Sequence, residues 1–260
     1  MCGAWGTAVG IIFLKVRTAT AGRLRRFGWA AAVLGATAVA AGPVTADGAV
    51  VRPAPATQVQ SGSAGPAGHS GATTTHAILV VGDSLSAEYG LQRDSGWVHL
   101  LAERLAARGG QYTVVNASIS GETSSGGKTR LPQLLATHRP AVIVLQLGAN
   151  DGLRGLPVRT LEANLQAMVD IARRAGAAVL LVGIQVPPNY GRAYAESFQK
   201  VYTTLGQRND IALVPFLLEG FADQPALFQA DHIHPTQEAQ ARMLENVWPR
   251  LAPLLPAARR

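Results

Sequence analysis

Short apolar runs recur along the second part of the chain, at residues 77–81, 112–115, 141–147, 178–184 and 211–214. They are rich in Val, Ile and Leu and largely continuous rather than alternating, the pattern of strands buried on both faces. Between them the spacing becomes helical. Trp97, Leu100, Leu101, Arg104 and Leu105 fall at i, i+3, i+4, i+7 and i+8, and Gly109-Gly110 ends that segment. Leu161, Leu165, Met168, Val169 and Ala172 repeat the pattern, with Thr160 as the expected N-cap and Gly176 as the stop. Residues 194–205 and 238–251 supply two more helices. Strands alternating with helices predict an α/β domain: a central parallel sheet of about five strands with helices on both faces and right-handed crossovers. No internal repeat interrupts this scheme.

The pattern changes before residue 77. Residues 47–76 are Gly, Ser, Ala, Pro, Thr and Gln with few large apolar side chains. Such a segment buries too little surface to offset its ordering entropy and reads as a flexible linker, with His69 and His76 as solvated residues in or beside it. Residues 1–46 hold Lys15, Arg17, Arg23, Arg25 and Arg26, no acidic residue, and an apolar run at 27–41, with small-x-small sites at Ala38-Val39-Ala40 near its end and at Val44-Thr45-Ala46 after it. A basic start, a short apolar stretch and small-x-small sites are the parts of a signal peptide or other targeting segment. Export to the periplasm or the medium is therefore expected. An uncleaved N-terminal membrane anchor is the alternative, disfavoured because the run is shorter than the ~20 residues that span a bilayer. Residues 77–260 are enough for one well-buried domain.

Charge and cysteine content narrow the chemistry. The net charge is +7, yet from residue 77 onward 17 Lys and Arg face 15 Asp and Glu. With no basic stripe and no interleaved aromatics, nothing here predicts a nucleic-acid partner. The only cysteine is Cys2, so the domain has no thiolate metal site and no cysteine nucleophile.

Four polar clusters fall at predicted strand ends or before the last helix: Gly82-Asp83-Ser84, Asn116 to Thr123, Gly148-Ala149-Asn150-Asp151, and Asp231-His232-Ile233-His234-Pro235. Loops at the carboxyl edge of a parallel sheet lie close together and can share one crevice. Ser84 is either a helix cap or a nucleophile. Asp231 and His234 are either a cap and a surface residue, or a carboxylate holding imidazole Nδ1 so that Nε2 faces a hydroxyl. His232 and His234 form an H-x-H pair, but no H-E-x-x-H or cysteine accompanies them and alternate residues of an extended chain point oppositely, so no metal is expected. Gly121 is a turn glycine or a backbone donor to an oxyanion. Asn150 is an Asx-turn residue or a side-chain donor to the same oxyanion. Asp83 and Asp151 are expected to bond local backbone N–H groups. Dinucleotide and phosphate-loop glycine motifs are absent, so no cofactor is expected. The Gly-x-Ser-x-Gly elbow is absent too, since Ser86 stands where the second Gly would be.

Taken in this order, the clusters resemble the four blocks of the SGNH (GDSL) hydrolases, which contribute Ser, Gly, Asn and His. The matching residues are Gly82-Asp83-Ser84-Leu85-Ser86, Gly121, Gly148-Ala149-Asn150-Asp151 and Asp231-x-x-His234-Pro235. Ser120 to Ser124, Gly152-Leu153-Arg154-Gly155 and Pro187-Pro188-Asn189-Tyr190-Gly191 are similar to the bacterial arylesterase, acyl-CoA thioesterase I and lysophospholipase type. Ala149 stands where Gly is frequent, and Glu122 where Asp is frequent. The resemblance implies a flavodoxin-like three-layer α/β/α domain and an acyl-enzyme mechanism. Ser84 would be the nucleophile, His234 the base and Asp231 its orienting acid. The Ser84 and Gly121 N–H groups and the Asn150 amide would form the oxyanion hole. Leu153, Arg154, Leu156, Pro187 and Tyr190, on two apolar loops, are expected to bind the substrate: medium to long acyl chains of aryl esters, thioesters or lysophospholipids. A monomer touching membrane lipid at most transiently is expected. A carbohydrate O-deacetylase of the same superfamily and a non-catalytic binder of acyl ligands are the alternatives.

Overall fold

The computed structural model describes residues 75–109 and 111–256. The expected targeting segment at 1–46 and nearly all of the linker at 47–76 lie outside the described residues. The apolar runs become five strands: β1 (His76–Gly82), β2 (Tyr112–Asn116), β3 (Val142–Gln146), β4 (Ala178–Val182) and β5 (Ala212–Val214). All pair in parallel, in the order β2-β1-β3-β4-β5. The register places Ile78 opposite both Val114 and Val142. Every residue of β3 is buried, as continuous apolar strands require when helices cover both sides of a sheet.

His76 corrects the linker reading. It is the first residue of β1, its N–H donates to the Gln111 carbonyl at 2.8 Å, and its ring lies 6.1 Å from that of Tyr112. The hydrogen-bonding demand of the edge strand β2 draws the chain into the sheet one residue before the apolar run begins.

The helices are α1 (Trp97–Ala106), α2 (Ser124–His138), α3 (Ala149–Leu153), α4 (Val158–Arg174), α5 (Arg192–Asn209) and α6 (Gln240–Leu251). α1 packs on α6, whereas α2, α4 and α5 pack in a row, giving two separate helix layers against the sheet. Their apolar stripes meet it: Trp97, Leu101 and Leu105 from α1, Leu161, Leu165, Met168 and Val169 from α4, and Met243, Leu244 and Val247 from α6 are all buried. Thr160 is not the N-cap of α4. That helix starts after Pro157, whose φ of −59° already suits a helix entrance, and the Thr160 N–H donates to the Pro157 carbonyl at 2.8 Å. Gly176 does follow the end of α4, at φ +80°. Among the described residues no helix is long and apolar enough to cross a membrane.

The strand order decides where chemistry can sit. β1 and β3 are neighbours, yet β1 leads away to β2 on one side and β3 to β4 on the other. Ligands of open parallel sheets bind outside the carboxyl ends of two such strands, because the outgoing loops part there and leave a crevice. Gly82-Asp83-Ser84 leaves β1 at that point, and Gly148-Ala149-Asn150 leaves β3.

Candidate active site

β1 closes on Gly82, where a Cβ would stand 2.7 Å from Gln146 Oε1 and 2.8 Å from Ser86 Oγ, so only glycine fits. Gln146, buried at the end of β3, organises the turn that follows. Its Oε1 accepts from Ser86 Oγ at 2.6 Å, and its Nε2 donates to Asp83 Oδ1 at 3.1 Å. Asp83 Oδ1 also accepts the Leu85 N–H at 3.1 Å, while Asn116 at the end of β2 donates to the Ser86 carbonyl at 2.7 Å. Strands on both sides of β1 thus pin the turn that presents Ser84. The local bond expected of Asp83 is present, with Gln146 as a second partner.

Ser84 faces a residue 150 positions away. Its Oγ lies 2.8 Å from His234 Nε2, and His234 Nδ1 lies 2.6 Å from Asp231 Oδ2. Asp231 Oδ1 accepts the N–H groups of Ile233 and His234 at 2.9 and 3.0 Å. The carboxylate is therefore fixed from one side and fixes the imidazole from the other. Partial burial pushes the Asp231 pKa up, but the His234 N–H, its imidazole and the Ile233 N–H outweigh this and bring it down to about 2. The turn hangs from a backbone ladder: Thr236 N–H to Leu227 carbonyl at 2.8 Å, Gln229 N–H to His234 carbonyl at 2.7 Å, and an antiparallel bridge between Phe228 and Pro235. Such a hydroxyl–imidazole–carboxylate line can take the serine proton onto Nε2 as Oγ attacks a carbonyl. His232 is exposed at φ +57° and outside this line. No three metal-ligating side chains gather among the described residues.

The residues expected to donate to an oxyanion lie on two further segments. The 116–122 segment runs beside the Ser84 turn, with the Ile119 N–H on the Gly82 carbonyl at 3.0 Å. Gly121 sits at φ +80°, and neither its N–H nor that of Ser84 makes a hydrogen bond among the described residues. Asn150 makes no Asx-turn. Its amide donates to the Glu122 carbonyl at 3.0 Å, which uses one hydrogen and leaves the other without a partner among the described residues. Asp151 also differs from expectation: among the described residues its carboxylate bonds no local backbone group but accepts both the N–H (2.8 Å) and the Oγ (2.5 Å) of Ser124. Arg154 donates to the Gly121 carbonyl at 3.1 Å. The α3 segment 150–154 therefore grips segment 121–124 at three points, which fixes Gly121 and Asn150 relative to each other.

Beside Ser84 opens a cavity of about 450 Å³ with mainly apolar walls, among them Leu85, Ile184, Val186, Phe216 and Phe228. Of the residues expected to bind substrate, Leu153 and Pro187 line it. Arg154, Leu156 and Tyr190 do not. Arg154 is engaged with Gly121, the Leu156 carbonyl accepts from Tyr194, and the Tyr190 hydroxyl donates to the Leu153 carbonyl at 2.9 Å. Arg154 and Tyr190 thus satisfy backbone carbonyls of the adjoining segments, and the Leu156 carbonyl is satisfied by Tyr194.

A model of the GDSL-like lipase/acylhydrolase family matches residues 80–242, a span containing Ser84, Gly121, Asn150, Asp231 and His234. The chain belongs to this family. It is an SGNH hydrolase, an enzyme that acts on carboxylic esters. It is similar to an esterase, TesA, of Pseudomonas aeruginosa, 56% identical over 178 residues that cover 68% of this chain and 89% of the relative. An arylesterase of Vibrio mimicus is 42% identical over 65% of this chain and 85% of its own length. A thioesterase 1/protease 1/lysophospholipase L1 of Escherichia coli is 39% identical over 71% and 87%. A crystal structure of TesA superposes with a TM-score of 0.68 at 56% identity, covering 69% of this chain and all of that one.

In this SGNH hydrolase several cavity-lining positions carry little sequence signal. Phe216, Leu218, Ala222, Pro225 and Phe228 line the cavity from the irregular segment between β5 and α6, where no apolar period exists to mark them. Gln146 was detectable in principle, since a polar residue inside a buried strand needs a partner.

Asp83 leads to a prediction about stability. Burial pushes its pKa up to about 6, against the opposing pull of the Leu85 N–H, the Gln146 amide and the His234 charge. Its Oδ2 has no partner among the described residues. A carboxyl whose folded pKa lies above its unfolded value favours the fold at low pH, and this contribution is lost as pH rises from about 4 to about 6. Ionised Asp83 then costs about 3 kcal/mol. Asp83→Asn keeps the acceptor for Leu85 and carries no charge. Its denaturation midpoint is expected to exceed that of the wild type above pH about 6 and to lose the decline below it. A midpoint lower by the same amount at every pH would contradict the assignment.

Proposed function

We propose that the enzyme hydrolyses medium to long acyl esters and thioesters, including aryl esters and lysophospholipids, through an acyl-enzyme on Ser84. The observation that carries this reading is an apolar cavity opening at the same Oγ that is hydrogen-bonded to His234. Ser84 Oγ attacks the carbonyl carbon as its proton passes to His234 Nε2, and Asp231 stabilises the imidazolium. The negative oxygen of the tetrahedral intermediate meets the Ser84 N–H, the Gly121 N–H and the free hydrogen of the Asn150 amide. The intermediate collapses, and His234 gives its proton to the departing alkoxide or thiolate. Water, deprotonated by the same nitrogen, then attacks the acyl carbon and releases the acid and Ser84. Thioesters fit the same steps, since only the leaving atom changes. The basic and apolar pattern of residues 1–46 supports action in the periplasm or the medium.

A chain-length series of p-nitrophenyl esters tests the reading. Each methylene that leaves water for the cavity contributes about 0.8 kcal/mol, so kcat/KM is expected to climb by up to about fourfold per added methylene from acetate toward octanoate. An enzyme that turns over acetate but not octanoate would instead be an O-deacetylase.

A further inference from the structure

Ser84 and His234 are brought together from turns that are each tied to different parts of the fold. The Ser84 turn is anchored on β3 and β2 through Gln146 and Asn116. The His234 turn is anchored on its own ladder between Leu227 and Thr236. Gln229 spans the two. Its single amide nitrogen donates to the Tyr89 carbonyl at 2.9 Å and to the Pro235 carbonyl at 3.1 Å, so both amide hydrogens are used, one on each side. The backbone N–H of Gln229 holds the His234 carbonyl. On the other side the Tyr89 N–H returns to the Ser84 carbonyl at 3.4 Å, and the Tyr89 ring lies 4.4 Å from the His234 imidazole. Gly90 makes the approach possible: a Cβ there would fall 2.1 Å from Gln229 Oε1, and its φ is +71°.

We propose that Gln229 is a positioning residue that sets the separation of Ser84 Oγ and His234 Nε2. The proposal rests on these two atoms being the reacting pair. Gln229 touches neither reacting atom. It acts through the two carbonyls, one in the chain just after the nucleophile turn and one directly after the base. A proton transfer depends steeply on that separation, whereas acyl-chain binding in the cavity does not.

The test uses the full chain with Gln229→Glu, which keeps the shape but replaces the donor by an acceptor facing two carbonyls, and Gln229→Met, which has similar length and no donor. For both, kcat on p-nitrophenyl octanoate is expected to fall about 10- to 100-fold with KM nearly unchanged. The rate at which a fluorophosphonate labels Ser84 is expected to fall by the same factor, with amounts normalised to folded protein by near-ultraviolet circular dichroism. Gly90→Ala, which pushes on the Gln229 amide while leaving that residue in place, serves as the second perturbation and is expected to give the same split between kcat and KM. Variants that keep wild-type kcat and labelling rate would overturn the proposal, as would a loss confined to KM or to the folded fraction. Wild-type protein that turns over esters without being labelled on Ser84 would instead overturn the proposed mechanism.

Discussion

Replacing Ser84 with Ala is expected to lower kcat on p-nitrophenyl octanoate by about 10⁴-fold or more, because deleting the nucleophile of a serine–histidine pair removes the covalent route altogether. The variant keeps the cavity, the backbone donors and the His234–Asp231 pair, so octanoate esters still bind with a KM close to that of the wild type. Substrate bound without turnover is the signature to look for in single-turnover kinetics. Among the described residues Ser84 Oγ makes one hydrogen bond, to His234. The turn itself is held by Asp83, Gln146 and Asn116, so its truncation leaves the thermal midpoint almost unchanged. Residual activity of a few per cent, in a preparation free of wild type, would remove Ser84 as the nucleophile.

Asp231→Asn is expected to be nearly as damaging, up to about 10⁴-fold in kcat. The Asn oxygen can still accept from the Ile233 and His234 N–H groups, so the turn survives. What changes is the group facing Nδ1. The Asp231 carboxylate accepts a proton-bearing Nδ1 and leaves Nε2 with the lone pair that Ser84 requires. An amide NH₂ in its place makes Nδ1 the acceptor and puts the proton on Nε2, which can no longer take one from Ser84. A pKa of about 2 also means that Asp231 stays ionised through the working range. Its contribution to stability is complete above about pH 4 and lost only as pH falls through about 2; being at the surface, it is a small one. Loss of activity in mild acid therefore does not arise from Asp231. Measuring kcat for the variant between neutral and alkaline pH checks this, and a loss of less than about tenfold would mean that the carboxylate does not select the tautomer.

The parallel sheet was legible because β1, β3 and β4 are continuous apolar runs whose ends need no tertiary information. The four polar clusters were legible because each follows such a run or precedes the last helix. α2 was not. Gly126, Gly127 and Pro132 lower its helical propensity, and only Leu131 and Leu135 are large apolar side chains buried on it, so its place is decided by packing against α4. The absence of Arg154, Leu156 and Tyr190 from the cavity wall has a related reason. Their spacing along the chain marks a loop near the site, but which atoms of that loop face the cavity depends on carbonyls that sequence does not display. Asp151 looked like a local turn residue and is bonded to Ser124, 27 positions earlier, a pairing set by the meeting of two sheet-edge loops. Gln229 belongs with these: its function is the distance it spans.

Nucleophile and base stand near opposite ends of the domain's sequence. The nucleophile follows the first strand of the domain and the base precedes its last helix, so the two are 150 residues apart in the chain. At a synthesis rate of about 5–20 residues per second, roughly 8–30 s pass between their departures from the ribosome. Throughout that interval the growing polypeptide carries Ser84 without a proton acceptor, and reactivity toward esters begins only when the His234 turn has been made and docked, well after the sheet's first strands have emerged.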